Sequence, residues 1–292
     1  MTQNANRRTF LKTLGALGAV AALPSFGAAR GAESSLVPKK VDALSGKPVL
    51  TIAHCCDPQF GFGEGEDSYK VDVARFEREL ELVNAAKPDL VFFAGDMCND
   101  RKRLRDEWPN LLKGVEAPFL TAAGNHDIPD PLKKADVDVF VEVFGAEYAS
   151  KEVNGWKVIA FNSQYVRETE EEELYEKQVE WFKREIGDAK EKGISVILGS
   201  HVPPFVKTLE EKDEYFNFPT KIRQDFLDFA VDSGTRFYLA GHTHTTLERS
   251  YRDLPILNAE TTSRNFDKRP FGFRLLKIDA DMNYEWNFVG LD

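Results

Sequence analysis

Leu90-Val91-Phe92-Phe93-Ala94-Gly95-Asp96-Met97-Cys98-Asn99 is a run of five apolar residues that stops on a glycine and passes straight to a carboxylate. A short continuous apolar run bounded by a turn signal reads as a strand buried on both faces, the kind that parallel sheets contain. The pattern recurs four times. Residues 49–56 run into Asp57-Pro58-Gln59, residues 119–123 into Gly124-Asn125-His126-Asp127, residues 194–200 into His201, and Phe237-Tyr238-Leu239-Ala240 into Gly241-His242-Thr243-His244. Loops at the carboxyl ends of such strands are where α/β sheets gather functional groups. The chain has only five histidines, and four of them stand in these loops. Carboxylates, an amide oxygen and neutral imidazoles together suit two neighbouring divalent ions of intermediate hardness, such as Mn, Fe or Zn. The chemistry of paired ions is hydrolysis, above all at phosphorus.

A ligand shared by two cations must carry negative charge and stand between them, and Asp96 on the tight Gly95 turn is the natural candidate. Asp57 ends the first strand and holds one ion. Alternate positions in His242-Thr243-His244 address two ions at once, which puts His244 with Asp57 and leaves His242, His201 and the side-chain oxygen of Asn125 for the second. His126 follows a ligand without needing to be one. Beside a leaving group, with Asp127 orienting its imidazole, it would act as a general acid.

Between these strands, Val73, Phe76, Leu80 and Val83 recur at helical spacing and predict a helix over 69–86. Further helices are expected over 101–113, 136–144, 174–189 and 221–231, with strands over 156–162, 254–257, 272–278 and 284–288. The acidic run 168–173 reads as a solvated first turn favoured by the helix dipole. Alternating strands and helices followed by a strand-rich tail make this an α/β chain, with two facing mixed sheets and helices outside, in one domain over 49–292. Residues 33–48, with Pro38, Gly46 and Pro48, read as a linker. His54 falls on the strand face opposite Cys55 and Asp57 and is expected to be a packed histidine. Cys55, Cys56 and Cys98 lack zinc-finger spacing. They read first as small buried hydrophobes, with a disulfide from Cys98 or direct metal ligation as the alternatives. Asn99 is expected to hydrogen-bond near the metals, and Tyr165, Arg167, Tyr215 and Phe216 to edge the substrate cleft.

The first 32 residues stand apart. Asn6-Arg7-Arg8-Thr9-Phe10-Leu11-Lys12 is close to a twin-arginine export signal, with Asn6 where Ser or Thr is usual. A weakly apolar stretch over 14–23 follows, then small residues that offer a cleavage point. That stretch is half of the roughly 20 residues needed to span a bilayer. An exported, periplasmic protein is expected, with the twin-arginine machinery as a partner that moves folded proteins. Arg7, Arg8, Lys12 and Arg30 are the only charges in this segment, so cleavage moves the formal charge from −10 to −14. So acidic a body is a poor partner for nucleic acid or anionic membrane, both of which want basic patches.

These residues carry a resemblance. Asp57, Asp96, Gly124-Asn125-His126-Asp127, His201 and His242-Thr243-His244 in this order resemble the calcineurin-like metallophosphoesterase superfamily, over nearly all of the chain from Val49 onward. The resemblance implies a four-layer α/β/β/α sandwich, a dinuclear metal centre and a bridging hydroxide nucleophile. It assigns Asp57, Asp96 and His244 to the first metal, Asp96, Asn125, His201 and His242 to the second, and the catalytic role to His126. The superfamily's first motif is usually Asp-x-His, whereas this chain has Gln59, a harder and weaker donor that would either leave the first metal more labile or shift its preference toward Mn²⁺ or Mg²⁺. Asp57-Pro58-Gln59-Phe60-Gly61, Asn162-Ser163-Gln164-Tyr165 and Tyr215-Phe216-Asn217-Phe218 resemble a narrower branch that includes an animal serine/threonine phosphatase type. The expected function is a phosphomonoesterase acting on a small phosphoester or phosphopeptide. A phosphodiesterase or nucleotide pyrophosphatase is the alternative within enzymes. A non-catalytic phospho-ligand binding protein is the rival from another class, supported only by Gln59.

Overall fold

A computed structural model describes residues 37–63, 65–166 and 171–292; the signal segment and Arg167 lie outside them. β1 (Lys39–Lys40) and β2 (Leu50–Cys55) come first, then helix α1 (Glu66–Ala86), β3 (Leu90–Phe93), α2 (Arg101–Leu111), β4 (Phe119–Thr121) and α3 (Lys134–Phe144). The second half continues with β5 (Ala149–Val153), β6 (Trp156–Ala160), α4 (Glu172–Lys192), β7 (Ser195–Gly199), α5 (Thr220–Asp232) and β8 (Thr235–Ala240). β9 (Leu247–Tyr251), β10 (Leu254–Asn258), β11 (Gly272–Ile278) and β12 (Asn283–Gly290) close the chain.

The strands form two six-stranded mixed sheets, ordered β1-β12-β11-β2-β3-β4 and β5-β6-β7-β8-β10-β9. In the first, β2, β3 and β4 are parallel, with Ile52 opposite Leu90 and Val91 opposite Phe119. In the second, β6, β7, β8 and β10 are parallel. The four residues of β3 are all buried, as a central strand covered on both faces requires.

Each sheet puts one face toward the other and one toward helices. Ile52, Phe92 and Leu120 of the first sheet meet Val158, Ile197 and Leu239 of the second in a common core. On the outer side, Phe76, Leu80 and Val83 of α1 pack on Ala53, Val91 and Phe93. On the far side, Phe182 and Ile186 of α4 and Phe226 and Leu227 of α5 pack on Val196, Leu198 and Tyr238. Each such side chain contributes about 1.5–3 kcal/mol of burial, so the i, i+4, i+7 stripe on α1 is what ties that helix to the sheet. The result is two facing mixed sheets with helices outside, as the alternation of strands and helices predicted, in the α/β/β/α layering that the resemblance implied.

Two expectations change, and the first reading of the cysteines stands. Residues 33–48 are not simply a connector: Lys39–Lys40 pair in parallel with β12, and the Leu44 amide donates to Glu285. Strands β5 and β9 were not expected. Both are edge strands, only partly buried, so they lack the apolar signature of the central ones. The three cysteines are free and buried, as small hydrophobes, with no disulfide. Glu172 and Glu173 do open α4 as an acidic first turn. Among the described residues no helix is long and apolar enough to cross a membrane.

Candidate metal centre

The loops after β2, β3, β4, β7 and β8 meet at one edge of the sandwich, and five of their residues pay for the meeting in backbone conformation. Asp57 (φ 47°), Gln59 (φ 39°), Asp96 (φ 53°), His242 (φ 71°) and His244 (φ 49°) all lie in the left-handed region, although none is glycine. Such conformations cost about 1–3 kcal/mol each and persist where the surroundings over-determine them. Gly95 is required here, since a Cβ on it would stand 2.7 Å from the Gly124 amide nitrogen. Gly124 is required because a Cβ there would stand 2.1 Å from Asp96 Oδ1.

The ligand atoms of Asp96, His201 and His242 lie within 4.8 Å of one another, and so do those of Asp57, Asp96 and His244. Asp96 belongs to both groups. The structure brings these residues together as two groups with one carboxylate in common. Asn125 joins the first set: its Oδ1 is 3.1 Å from His201 Nε2, while its Nδ2 donates to the Tyr215 hydroxyl at 2.7 Å.

The three histidines of these groups are held in a common way. One ring nitrogen of each faces a backbone carbonyl: His201 Nδ1 with Ala94 (2.7 Å), His242 Nε2 with Tyr215 (2.9 Å) and His244 Nδ1 with Arg264 (2.6 Å). An N–H donated to a carbonyl leaves the other nitrogen of a neutral ring as a lone pair, which is how metal-ligating histidines are oriented. Gln59 adds a second sign. Its side chain is fully buried, and neither Oε1 nor Nε2 has a hydrogen-bond partner among the described residues. A buried unpaired amide costs about 1–3 kcal/mol. A cation beside Oε1 would remove part of that cost, so the donor set fits two divalent ions.

The electrostatics agree. Burial pushes the Asp57 carboxyl up to about 8 and that of Asp127 up to about 7, with the Asp96 charge adding to both. Burial also opposes the charge of Asp96, but the His201 ring 3.3 Å away holds that carboxyl well below the usual range. Against the same burial, Asp96 raises His201 to about 9. Metal ligands must be deprotonated, so cations bound here would compete with protons for these groups.

His126 stands differently from the ligands. Its backbone amide donates to Asp96 Oδ1 at 2.8 Å, while its ring is about a third exposed with Nε2 4.0 Å from Asp96 Oδ2. The ring is thus more exposed than those of His201, His242 and His244. Asp127 does not orient it. Its carboxylate accepts from the backbone amides of Met97 (2.8 Å), Cys98 (3.4 Å) and Gly124 (2.9 Å), tying the Asp96 loop to the Asn125 loop from beneath.

Two more expectations need correction. Asn99 donates to the Gly61 carbonyl rather than toward the ligands, and Tyr165 is buried with its hydroxyl on Glu147. His54 is a packed histidine as expected, with Nε2 3.0 Å from the Ala240 carbonyl and burial lowering it to about 3. Tyr215 and Phe216 do edge the site, their rings 4.8 and 5.2 Å from that of His242. The edge beside His244 was missed. Phe266 stacks on His244 at 4.7 Å and Phe62 tilts against it at 5.5 Å. No motif marks these two residues, because nothing in a single sequence says that a loop near residue 265 returns to residue 244.

A family model described as calcineurin-like phosphoesterase matches residues 50–246, and one described as a TAT (twin-arginine translocation) pathway signal sequence matches residues 4–24. The serine/threonine-protein phosphatase CPPED1 of Rattus norvegicus is 25% identical over 248 residues, covering 77% of this chain and 79% of its own. The 3',5'-cyclic adenosine monophosphate phosphodiesterase CpdA of Escherichia coli (strain K12) is 24% identical over 228 residues, covering 72% and 78%. Among solved structures, a dimetal phosphatase from Danio rerio superposes with a TM-score of 0.59 at 12% identity, over 84% of this chain and 98% of the other. That likeness is one of fold.

Proposed function

The chain belongs to the calcineurin-like phosphoesterase family and is a metal-dependent phosphoester hydrolase, and we propose on that footing that it is a phosphomonoesterase using two divalent ions on either side of Asp96. The observation that carries the reading is the pair of ligand groups with one carboxylate in common. Asp57, Asp96 and His244, with Gln59 Oε1, would hold one ion; Asp96, Asn125, His201 and His242 would hold the other. Mn, Fe or Zn suits these donors. When bound, such a pair supplies a nucleophile at neutral pH and positive charge for the phosphoryl oxygens.

The chain's own residues supply the rest. Carbonyls of Ala94, Tyr215 and Arg264 fix the histidine rings, and Asp127 keeps the Asp96 and Asn125 loops in register. His126, about a third exposed, delivers a proton to the departing oxygen. A small phosphoester or a phosphopeptide is the substrate in this reading, in keeping with the similarity to CPPED1. The second reading, a phosphodiesterase, is favoured by the similarity to CpdA.

The twin-arginine signal marks the chain for export. In our reading the signal is cleaved near residue 32 and the mature protein works in the periplasm. The test is metal analysis of the mature protein, followed by kcat/KM for an aryl phosphate, a phosphopeptide, an aryl phosphodiester and a cyclic nucleotide. Two ions per chain and a preference for monoesters are expected. One ion per chain would remove the dinuclear reading, a preference for diesters would select the second, and two ions without turnover would indicate a phospho-ligand binder.

A further inference from the structure

The loop of residues 259–271, between β10 and β11, is tied to the ligand residues at three points. The Ser263 hydroxyl donates to the Asp57 carbonyl at 2.8 Å, the Arg264 carbonyl faces His244 Nδ1 at 2.6 Å, and the Phe266 amide donates to the His244 carbonyl at 2.9 Å. Inside the loop, Asn265 bridges the Thr261 and Pro270 backbone. The backbone is thereby held, while the side chains of Arg264 and Phe266 face solvent.

What they present there is unusual for this surface. Phe266 (49% exposed) and Tyr215 (52%) are the two most exposed large apolar side chains among the described residues, one against His244 and the other against His242. Phe62 completes the wall on the Phe266 side, 6.5 Å from it. The Arg264 guanidinium lies 5.6 Å over the Phe62 ring, and among the described residues no carboxylate pairs with it. Its neighbour in the same loop, Arg269, is paired with Asp267 at 2.8 Å. An unpaired cation beside an apolar wall, in a chain of net charge −10, is suited to an anion arriving on a flat apolar group. Its contact is with Phe62, and it makes no ion pair with the carboxylates of the centre among the described residues, which leaves it available to an anion on the organic part of a substrate.

We propose that Arg264, with Phe62 and Phe266, forms a specificity subsite for a second anionic group on the organic part of the phosphoester. The anion is a carboxylate or a second phosphate. The inference rests on the phosphomonoesterase reading, and it narrows the substrate class to doubly anionic phosphoesters.

The test compares phenyl phosphate, 3-carboxyphenyl phosphate and 1,3-phenylene bisphosphate on Mn²⁺-loaded mature protein, in wild type, Arg264→Gln and Arg269→Gln. Referring each variant to wild type cancels differences between the leaving groups. Arg264→Gln should lower the preference for the doubly anionic esters about 2- to 5-fold through KM, the scale of one exposed charge pair, and Arg269→Gln should keep that preference. Loss for the carboxylate alone, or for the bisphosphate alone, identifies which anion the subsite takes. Equal loss in both variants would reduce the effect to net charge, and an unaltered preference in Arg264→Gln would overturn the proposal. Calorimetric binding of benzylphosphonate and 3-carboxybenzylphosphonate to the same proteins decides the point even if no aryl phosphate is turned over. In that event the monoesterase reading fails separately.

Discussion

Asp127→Ala separates a loop-holding carboxylate from a catalytic one. In the structure the Asp127 side chain is fully buried and accepts two good backbone hydrogen bonds, from Met97 at 2.8 Å and Gly124 at 2.9 Å, and a weak one from Cys98 at 3.4 Å. Removing it leaves two well-directed amides without an acceptor, at about 1–3 kcal/mol each. The loss is offset in part, because burial already pushes this carboxyl up to about 7, so its charge is a burden to the metal-free fold. A net destabilisation of about 3 kcal/mol is expected, or roughly 6–12 °C in Tm for a domain somewhat over 200 residues. The same change lets the Asp96 and Asn125 loops drift apart, so both ions should bind more weakly. Thermal unfolding with EDTA measures the first effect, and metal titration followed by calorimetry the second. With metal in excess, the remaining activity should keep the wild-type dependence on leaving-group pKa. A variant with unchanged Tm and a steeper leaving-group dependence would refute this assignment and return Asp127 to the role of orienting His126.

Asp96→Asn should lose metal at both positions, since Asp96 belongs to both ligand groups; elemental analysis finding one ion retained would assign Asp96 to a single site. His126→Ala should keep its metals and lose about 10²–10⁴-fold in kcat, the usual range for a general acid, with a smaller loss for esters whose leaving groups need little protonation. An equal loss for aryl and alkyl phosphates would argue instead for substrate binding. Gln59→His should tighten one ion against a chelator and favour Zn²⁺ over Mn²⁺, because imidazole is the softer donor; unaltered titrations with both ions would mean residue 59 does not face a metal. Finally, Asp57, Asp127 and Glu79 are raised in the fold, to about 8, 7 and 8, chiefly by burial, and His201 is raised to about 9 by Asp96 against its burial. A group raised on folding loses its contribution to stability as pH climbs from its unfolded value through its folded one. The metal-free protein should therefore be less stable at pH 8.5 than at pH 6, while stabilisation by added Mn²⁺ grows over the same interval. Depressed Asp96 acts in the opposite sense, but only below about pH 4. Equal Tm values in EDTA at the two pH values would contradict the shifts.

Much of this site was legible from the chain alone, for a reason of chain geometry. Asp57, Asp96, Asn125, His201 and His242 each follow a strand within a few residues, so an apolar run and the polar residue after it are one local signal. Their order along the chain, more than any one motif, implied a common edge of two sheets. The same locality made the helix stripe Phe76, Leu80, Val83 readable and left the half-buried edge strands β5 and β9 unread. Tertiary structure alone decided what crosses long stretches of sequence. The Ser263 hydroxyl reaches the Asp57 carbonyl across 206 residues, and the His242 amide reaches the Asp57 carboxylate across 185. Which ring nitrogen each histidine keeps free depends on carbonyls of Ala94, Tyr215 and Arg264, and a carbonyl leaves no trace in residue identity. The left-handed backbone at Asp57, Gln59, Asp96, His242 and His244 is equally silent, because these conformations are imposed by the converging loops and not by glycine. Asp127 shows the limit most plainly. Its place beside His126 in the sequence suggested a partner for that ring. In the fold its short side chain turns inward instead, because the amides of Met97 and Gly124 are buried and need an acceptor, whereas the ring of His126 has solvent.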